Sequence, residues 1–168
     1  MAGTIQIYNL ALGQIGSTSL VMDLNERSMS LQTCNLYWEQ ARDAALADYP
    51  WPFATKQAYL ALDTVTPVNW LYQYLLPADH LRSQKIIIPD WPVSSGFAQQ
   101  LGMNPPYEQA WGQGGTVLKT NTENCLLQYT AKVTDDVLYP PEFVGMVALK
   151  LAASIAVPLK ASATRAAE

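Results

Sequence analysis

The sequence predicts an α+β chain with helices towards both ends and strands between them. Three observations carry this. Apolar residues recur at helical spacing near both ends, the period shortens to two in the middle, and prolines stand at the changes of period. The expected architecture is a small helical bundle core, made by the N-terminal and C-terminal helices, with an inserted antiparallel β extension. At 168 residues the chain reads as a single domain over 1–168, helical over 1–54 and 140–168 and β-rich over 55–139.

The spacing of Ile5, Tyr8, Leu12 and Ile15 predicts a first helix over 4–12, which Thr4 can cap and Gly13 and Gly16 end. Residues 17–27 read as a loop. A second helix over 28–48 has Ser28 as its cap and an apolar stripe of Leu31, Cys34, Trp38, Ala41, Ala45 and Leu46. Pro50 and Pro52 stop it near Tyr49, because a residue before proline is pushed out of helical geometry. Trp51 and Phe53 read as packing at the junction of this helix with the sheet, with an interface as the alternative.

Strands are predicted over 57–62, 70–76, 83–88, 116–119 and 126–133. Trp70, Tyr72 and Tyr74 are read as divided between two faces, so that at least one faces outward or a partner. A last helix begins after Pro140-Pro141, since proline fits a first helical turn. Phe143, Val147, Leu151 and Ile155 step along one side of it, and Pro158 is expected to interrupt it.

The segment from Pro89 to Gly115 is of a different kind. It holds four prolines, several glycines and the aromatics Trp91, Phe97, Tyr107 and Trp111, and its only charges are Asp90 and Glu108. Disordered segments carry charge and few aromatics. The segment therefore reads as a projecting loop or hairpin whose aromatics are covered by a neighbour, or else packed within the loop itself.

Apolar residues make up 49% of the chain and charged residues 14%, where ordinary domains carry about 25%. A chain that hides much of its surface needs less charge than a monomer. The net charge of −4 argues against a tight nucleic-acid binder, and the ten basic residues are scattered singly. Cys34 and Cys125 read as buried thiols in a reducing compartment. The first residues lack the basic region and apolar core of a signal peptide. No apolar run reaches the roughly 18 residues of a membrane span. A protein made and used in a cytoplasm, away from membranes, is expected.

No catalytic, metal or cofactor-binding residue is assigned. His80 is the one histidine, and a dyad would need a Ser or Cys beside it in space. Two isolated cysteines and one histidine have no zinc-ligand spacing. Asp135-Asp136 can offer oxygens to a hard cation but reads more simply as a turn. Gly112–Gly115 lacks the residues of a phosphate-binding loop and reads as a flexible turn.

Several stretches in order carry a resemblance. They are Asn9-Leu10-Ala11-Leu12-Gly13 with Ile15-Gly16, then Cys34, Tyr37 and Arg42-Asp43, then Pro50-Trp51-Pro52-Phe53-Ala54. Trp70, Tyr72 and Tyr74 lead into Leu76-Pro77-Ala78-Asp79-His80-Leu81-Arg82. Tyr129, Asp135, Pro141-Glu142-Phe143, Leu151-Ala152 and Pro158 follow. In order and spacing these resemble the head-to-tail adaptor family of short-tailed bacteriophages, the tail tubular protein A-like group. The resemblance spans most of the chain and is least in Pro89–Gly115.

The resemblance implies a ring, typically of twelve copies, below the portal protein of a filled capsid. Such a ring extends the DNA channel and docks the tail nozzle, and DNA passes without sequence-specific binding. It implies a non-enzymatic virion protein at the head-to-tail junction, made in the bacterial host cytoplasm, without cofactor. On that reading Trp91, Phe97, Tyr107 and Trp111 meet the tail or a neighbouring subunit. Leu159, Lys160 and Arg165 then reach towards the portal. Two alternatives are a virion-associated hydrolase acting on the cell wall and a small DNA-binding module, the latter disfavoured by the charge.

Overall fold

Helices form where the apolar period is helical and strands where it is two, so the chain is α+β. The computed structural model describes residues 3–87, 104–112 and 114–167, the last seven of these by backbone alone. The helices are α1 (Thr4–Gln14), α2 (Met29–Asp48) and α3 (Pro141–Ala167). The strands are β1 (Thr55–Tyr59), β2 (Ala61–Leu62), β3 (Tyr72–Leu75), β4 (His80–Ile87), β5 (Tyr107–Gly112), β6 (Gly115–Thr120) and β7 (Leu126–Ala131). Two units result: Met1–Tyr49 with Val133–Glu168, and Pro50–Lys132.

In the helical unit both α1 and α2 pack on α3. Tyr8, Leu12, Leu31, Cys34, Leu151 and Ile155 are buried together. Tyr8 stacks edge-on against Trp38 at 5.4 Å, and its hydroxyl donates to Asn35 Oδ1 at 2.8 Å. Ser28 caps α2 by accepting from Leu31 N at 3.1 Å. Thr4 is not the cap of α1. It sits in the first turn after Gly3, and its N–H and hydroxyl both donate to Asp136 Oδ2 at 2.8 Å. The helix thus begins on a carboxylate from a distant segment, which also suits the positive end of its dipole. It ends in a Schellman turn: Gly16 has φ +75, Gly16 N donates to Gly13 O and Ser17 N to Leu12 O.

Asn9 clamps the following loop, donating to Val21 O at 2.9 Å and accepting from Val21 N at 2.8 Å. Val21 is thereby held in the core.

Pro158 does not interrupt α3, which runs on to Ala167. Proline's fixed φ suits a helix, and its cost lies in the lost N–H and the clash with the carbonyl of Ser154. Ile155 is buried and Leu159 packs on the same core, so apolar contacts on both sides of Pro158 hold the helix through it. Within Pro141–Lys160 of α3 an 18-residue stretch reaches a mean hydropathy of 1.7, long and apolar enough to cross a membrane by length and composition. That corrects the expectation that no segment reaches span length, for the three charges of Pro141–Lys160, Glu142, Lys150 and Lys160, are too few to offset its apolar residues. Phe143, Val147, Leu151 and Ile155 are buried, as the core helix of a folded domain requires.

In the β unit all strand pairs are antiparallel, in sheets of order β1-β7-β4 and β2-β3-β6-β5. Leu60, Tyr74, Ile86, Leu118, Leu127 and Tyr129 share a core. Tyr72 and Tyr74 do not divide between two faces. Residues two apart on a strand point the same way, their rings lie 6.2 Å apart, and both join that core. Leu71 and Leu75, on the alternate positions, are exposed instead.

The compact units divide at 49/50 and 132/133, while the strands begin with β1 at Thr55 and the last helix at Pro141. The short 3-10 turn Pro52–Ala54 continues into β1, with Thr55 Oγ1 donating to Trp51 O at 2.8 Å. Residues 133–139 belong with the helices. Asp136 caps α1 there, and Tyr139 is buried edge-on against Phe143 at 4.8 Å with its hydroxyl donating to Val133 O.

Candidate functional site

The β unit gathers Lys56, Asp79, His80, Ser83, Gln109 and Tyr129 into one polar cluster. In a regular strand His80 and Ser83, three apart, would face opposite sides. Two irregularities in β4 change this. His80 lies opposite Ala131 and Arg82 opposite Thr130, so Leu81 is an extra residue; Gln84 is a second, between Ser83 and Lys85. Ser83 comes to lie opposite Tyr129, two residues from Ala131 on β7, and so shares a face with His80.

His80 Nε2 lies 2.9 Å from Ser83 Oγ. Gln109 on β5 donates its amide N–H to the same oxygen at 2.6 Å. Ser83 therefore accepts from Gln109 and has its hydroxyl proton for a neutral His80 Nε2. Burial pushes the His80 pKa below its ordinary value, against the pull of the Asp79 carboxylate, which favours that neutral form.

Asp79 is engaged elsewhere. Its Oδ2 pairs with Lys56 Nζ at 2.6 Å and its Oδ1 accepts from Tyr129 OH at 3.0 Å. The Lys56 hydrogen bond holds the Asp79 pKa below the usual carboxylate range, and burial pushes the Tyr129 hydroxyl up to about 12. Among the described residues no carboxylate is hydrogen-bonded to His80, and the adjacent Asp79 is engaged by Lys56 and Tyr129. What the cluster does is join β4 of one sheet to β5 of the other.

The described residues contain no group of three or more His, Cys, Asp or Glu that could hold a metal ion. Asp135 accepts from Val137 N at 3.0 Å and Asp136 caps α1, so both carboxylates are structural. Cys34 and Cys125 are free and buried, and burial pushes both thiols up to about 11.

Of the predicted interface aromatics, Trp91 and Phe97 lie outside the described residues. Tyr107 and Trp111 stand on β5, which pairs with β6 as a hairpin within the segment that reads in sequence as a projecting loop or hairpin. They share a face with Gln109 and part in environment: Tyr107 packs against the β core, while Trp111, beside the tight Gly112–Gly115 pairing, is 84% exposed. Leu159 packs on the helical core, Lys160 is exposed and Arg165 lies in the last turns of α3.

Two loops are more apolar than turn chemistry requires. One exposes Leu20, Met22 and Leu24; the other exposes Val65, Val68 and Leu71. Their isolated apolar residues among Ser, Thr, Asn and Pro are the signal that the sequence carries for both. The partnership of Ser83 with His80 had no such signal, because it depends on a bulge. Neither protein-family models nor curated proteins match this chain.

Proposed function

We propose that the chain is a non-catalytic structural subunit of a larger assembly, a head-to-tail adaptor of a short-tailed bacteriophage. On this reading copies form a ring below the portal protein, extend the DNA channel and dock the tail nozzle. The observation that carries the assembly part is Trp111, a large aromatic 84% exposed at the end of a paired hairpin. Tryptophans dominate the energetics of interfaces when a partner covers them. The low charge supports the same reading, and the adaptor role rests on the resemblance in sequence. Purified subunit mixed with isolated portal protein is expected to give a ring-shaped complex by electron microscopy. No complex at high protein concentration, together with absence of the chain from virions, would overturn the adaptor reading.

The 2.9 Å contact between His80 and Ser83 favours a second reading, a virion-associated hydrolase acting on the cell wall. It requires turnover of peptidoglycan that disappears in Ser83→Ala. An absence of turnover removes it.

A further inference from the structure

Gln109, Ser83 and His80 form a directed hydrogen-bond chain between the two sheets of the β unit. Gln109 Nε2 donates to Ser83 Oγ at 2.6 Å, and Ser83 gives its own hydroxyl proton to His80 Nε2 at 2.9 Å. Donors and acceptors match in this direction only while the imidazole is neutral. A protonated His80 carries N–H on both ring nitrogens and can only donate. Its Nε2 lies 3.5 Å from Gln109 Nε2, so two N–H donors would then crowd one serine oxygen. The Ser83 proton would at the same time have lost its acceptor.

A half-turn of the Gln109 amide answers both. It brings Oε1 in to accept from Ser83 and takes Nε2 away from the imidazolium. Gln109 is exposed, so its amide turns without displacing core side chains. Ser83 and His80 are half-buried and stay where the two irregularities of β4 place them. The bond between the sheets then survives with its direction reversed, from His80 through Ser83 to Gln109.

The charged and titratable groups around His80 leave this response to the chain itself. Lys56 from β1 and Asp79, just before β4, are paired with each other at 2.6 Å. Tyr129 from β7 holds its ring 5.7 Å from the imidazole and its hydroxyl on Asp79. Glu108 on β5 accepts from Trp70. Arg82 and Lys85 on β4 lie opposite Thr130 and Gln128, on the other face of the sheet from His80. Burial holds the His80 pKa below its ordinary value, so uptake of the proton falls on the acid side of about pH 6.5.

We infer that His80, Ser83 and Gln109 form a proton-operated switch, in which protonation of His80 reverses the chain and turns over the Gln109 amide. The inference stands apart from both readings of function above. Since β5 is the edge strand of its sheet, the switch changes what that edge presents. It shows an amide oxygen at neutral pH and an amide N–H group in acid.

The test is an NMR titration of the full-length chain from about pH 8 to about pH 4. It follows the His80 ring and the Gln109 side-chain amide, the latter assigned by its loss in Gln109→Met. The expected result is a bonded Gln109 N–H at neutral pH, downfield and slow to exchange, that moves to free-amide values with the midpoint of His80. In Ser83→Ala, His80 is expected to titrate still while the Gln109 amide no longer follows it. Gln109→Glu supplies an acceptor at the same place and is expected to raise the His80 midpoint by about one pH unit. A Gln109 amide that keeps its bonded N–H through the His80 titration overturns the switch, as does unfolding of the native chain before His80 titrates. An amide that still follows His80 in Ser83→Ala overturns the relay through Ser83, and an unmoved midpoint in Gln109→Glu overturns the contact on which it depends.

Discussion

Arg42 is buried, with 4% of its side chain exposed, and carries a charge that must be balanced inside the helical unit. Its Nε donates to Asp43 Oδ1 at 2.8 Å, and Nη2 lies 2.8 Å from the same oxygen without an aligned hydrogen bond. The second nitrogen is thus held by charge alone, with Glu39 no nearer than 3.9 Å. Removing one member of such a pair strands the other in a poor dielectric. Asp43→Ala is expected to destabilise the fold by about 2 to 3 kcal/mol, less than for a fully buried pair because Asp43 is partly exposed. Urea unfolding measures it. His80 gives a pH dependence. Its pKa is lower in the fold than in the unfolded chain, so below about pH 6.5 the unfolded state binds more protons. Stability is therefore full above that pH and falls as pH drops from there through the folded pKa. Melting curves between pH 5 and 8 should show this slope in the native chain and its reduction in His80→Gln, provided Asp79, Lys56 and Tyr129 keep their mutual contacts.

At the scale of elements, the start of α1 is the informative case. The helix has no side-chain cap of its own, and Asp136, far along the chain, receives both Thr4 donors. Asp136→Ala is expected to cost about 1 kcal/mol, the usual worth of a cap, and to speed amide hydrogen exchange in the first turn of α1. Thr4 offered itself as the cap in the sequence because a local hydroxyl before an apolar stripe is the common solution. The actual donor–acceptor pair is non-local and left no periodic trace. The same distinction runs through the fold. The helices and most strands were legible, since their signal is the spacing of Leu31, Cys34 and Leu151 or the prolines at 50, 52 and 140. The bounds of β5 were not, because Pro105-Pro106 and the glycines after Trp111 fit a projecting loop as well as a hairpin, and its pairing lies wholly with β6. In the candidate site His80 was visible as a lone histidine. Ser83, Gln109 and the two bulges that align them were not, since register is a property of two strands and not of either sequence alone.

For the whole molecule the question is which exposed aromatics serve folding and which serve assembly, and β5 separates the two within five residues. Tyr107 is half-buried against the β core, so Tyr107→Ala should lower stability by about 2 kcal/mol. Trp111 is 84% exposed on the same face, so its truncation removes little that the folded subunit uses. Trp111→Ala should leave stability within about 0.5 kcal/mol of the native chain. If an assembly covers that ring, the same substitution should weaken binding to a partner by about thirtyfold, the loss of roughly 2 kcal/mol typical of a buried tryptophan anchor. The measurement is a pair of readouts on one variant, a melting temperature and the fraction of subunits in ring complexes by electron microscopy. An unchanged melt with lost complexes assigns Trp111 to an interface. An unchanged melt with unchanged complexes removes the hairpin tip from the contact and leaves assembly to other exposed apolar surfaces.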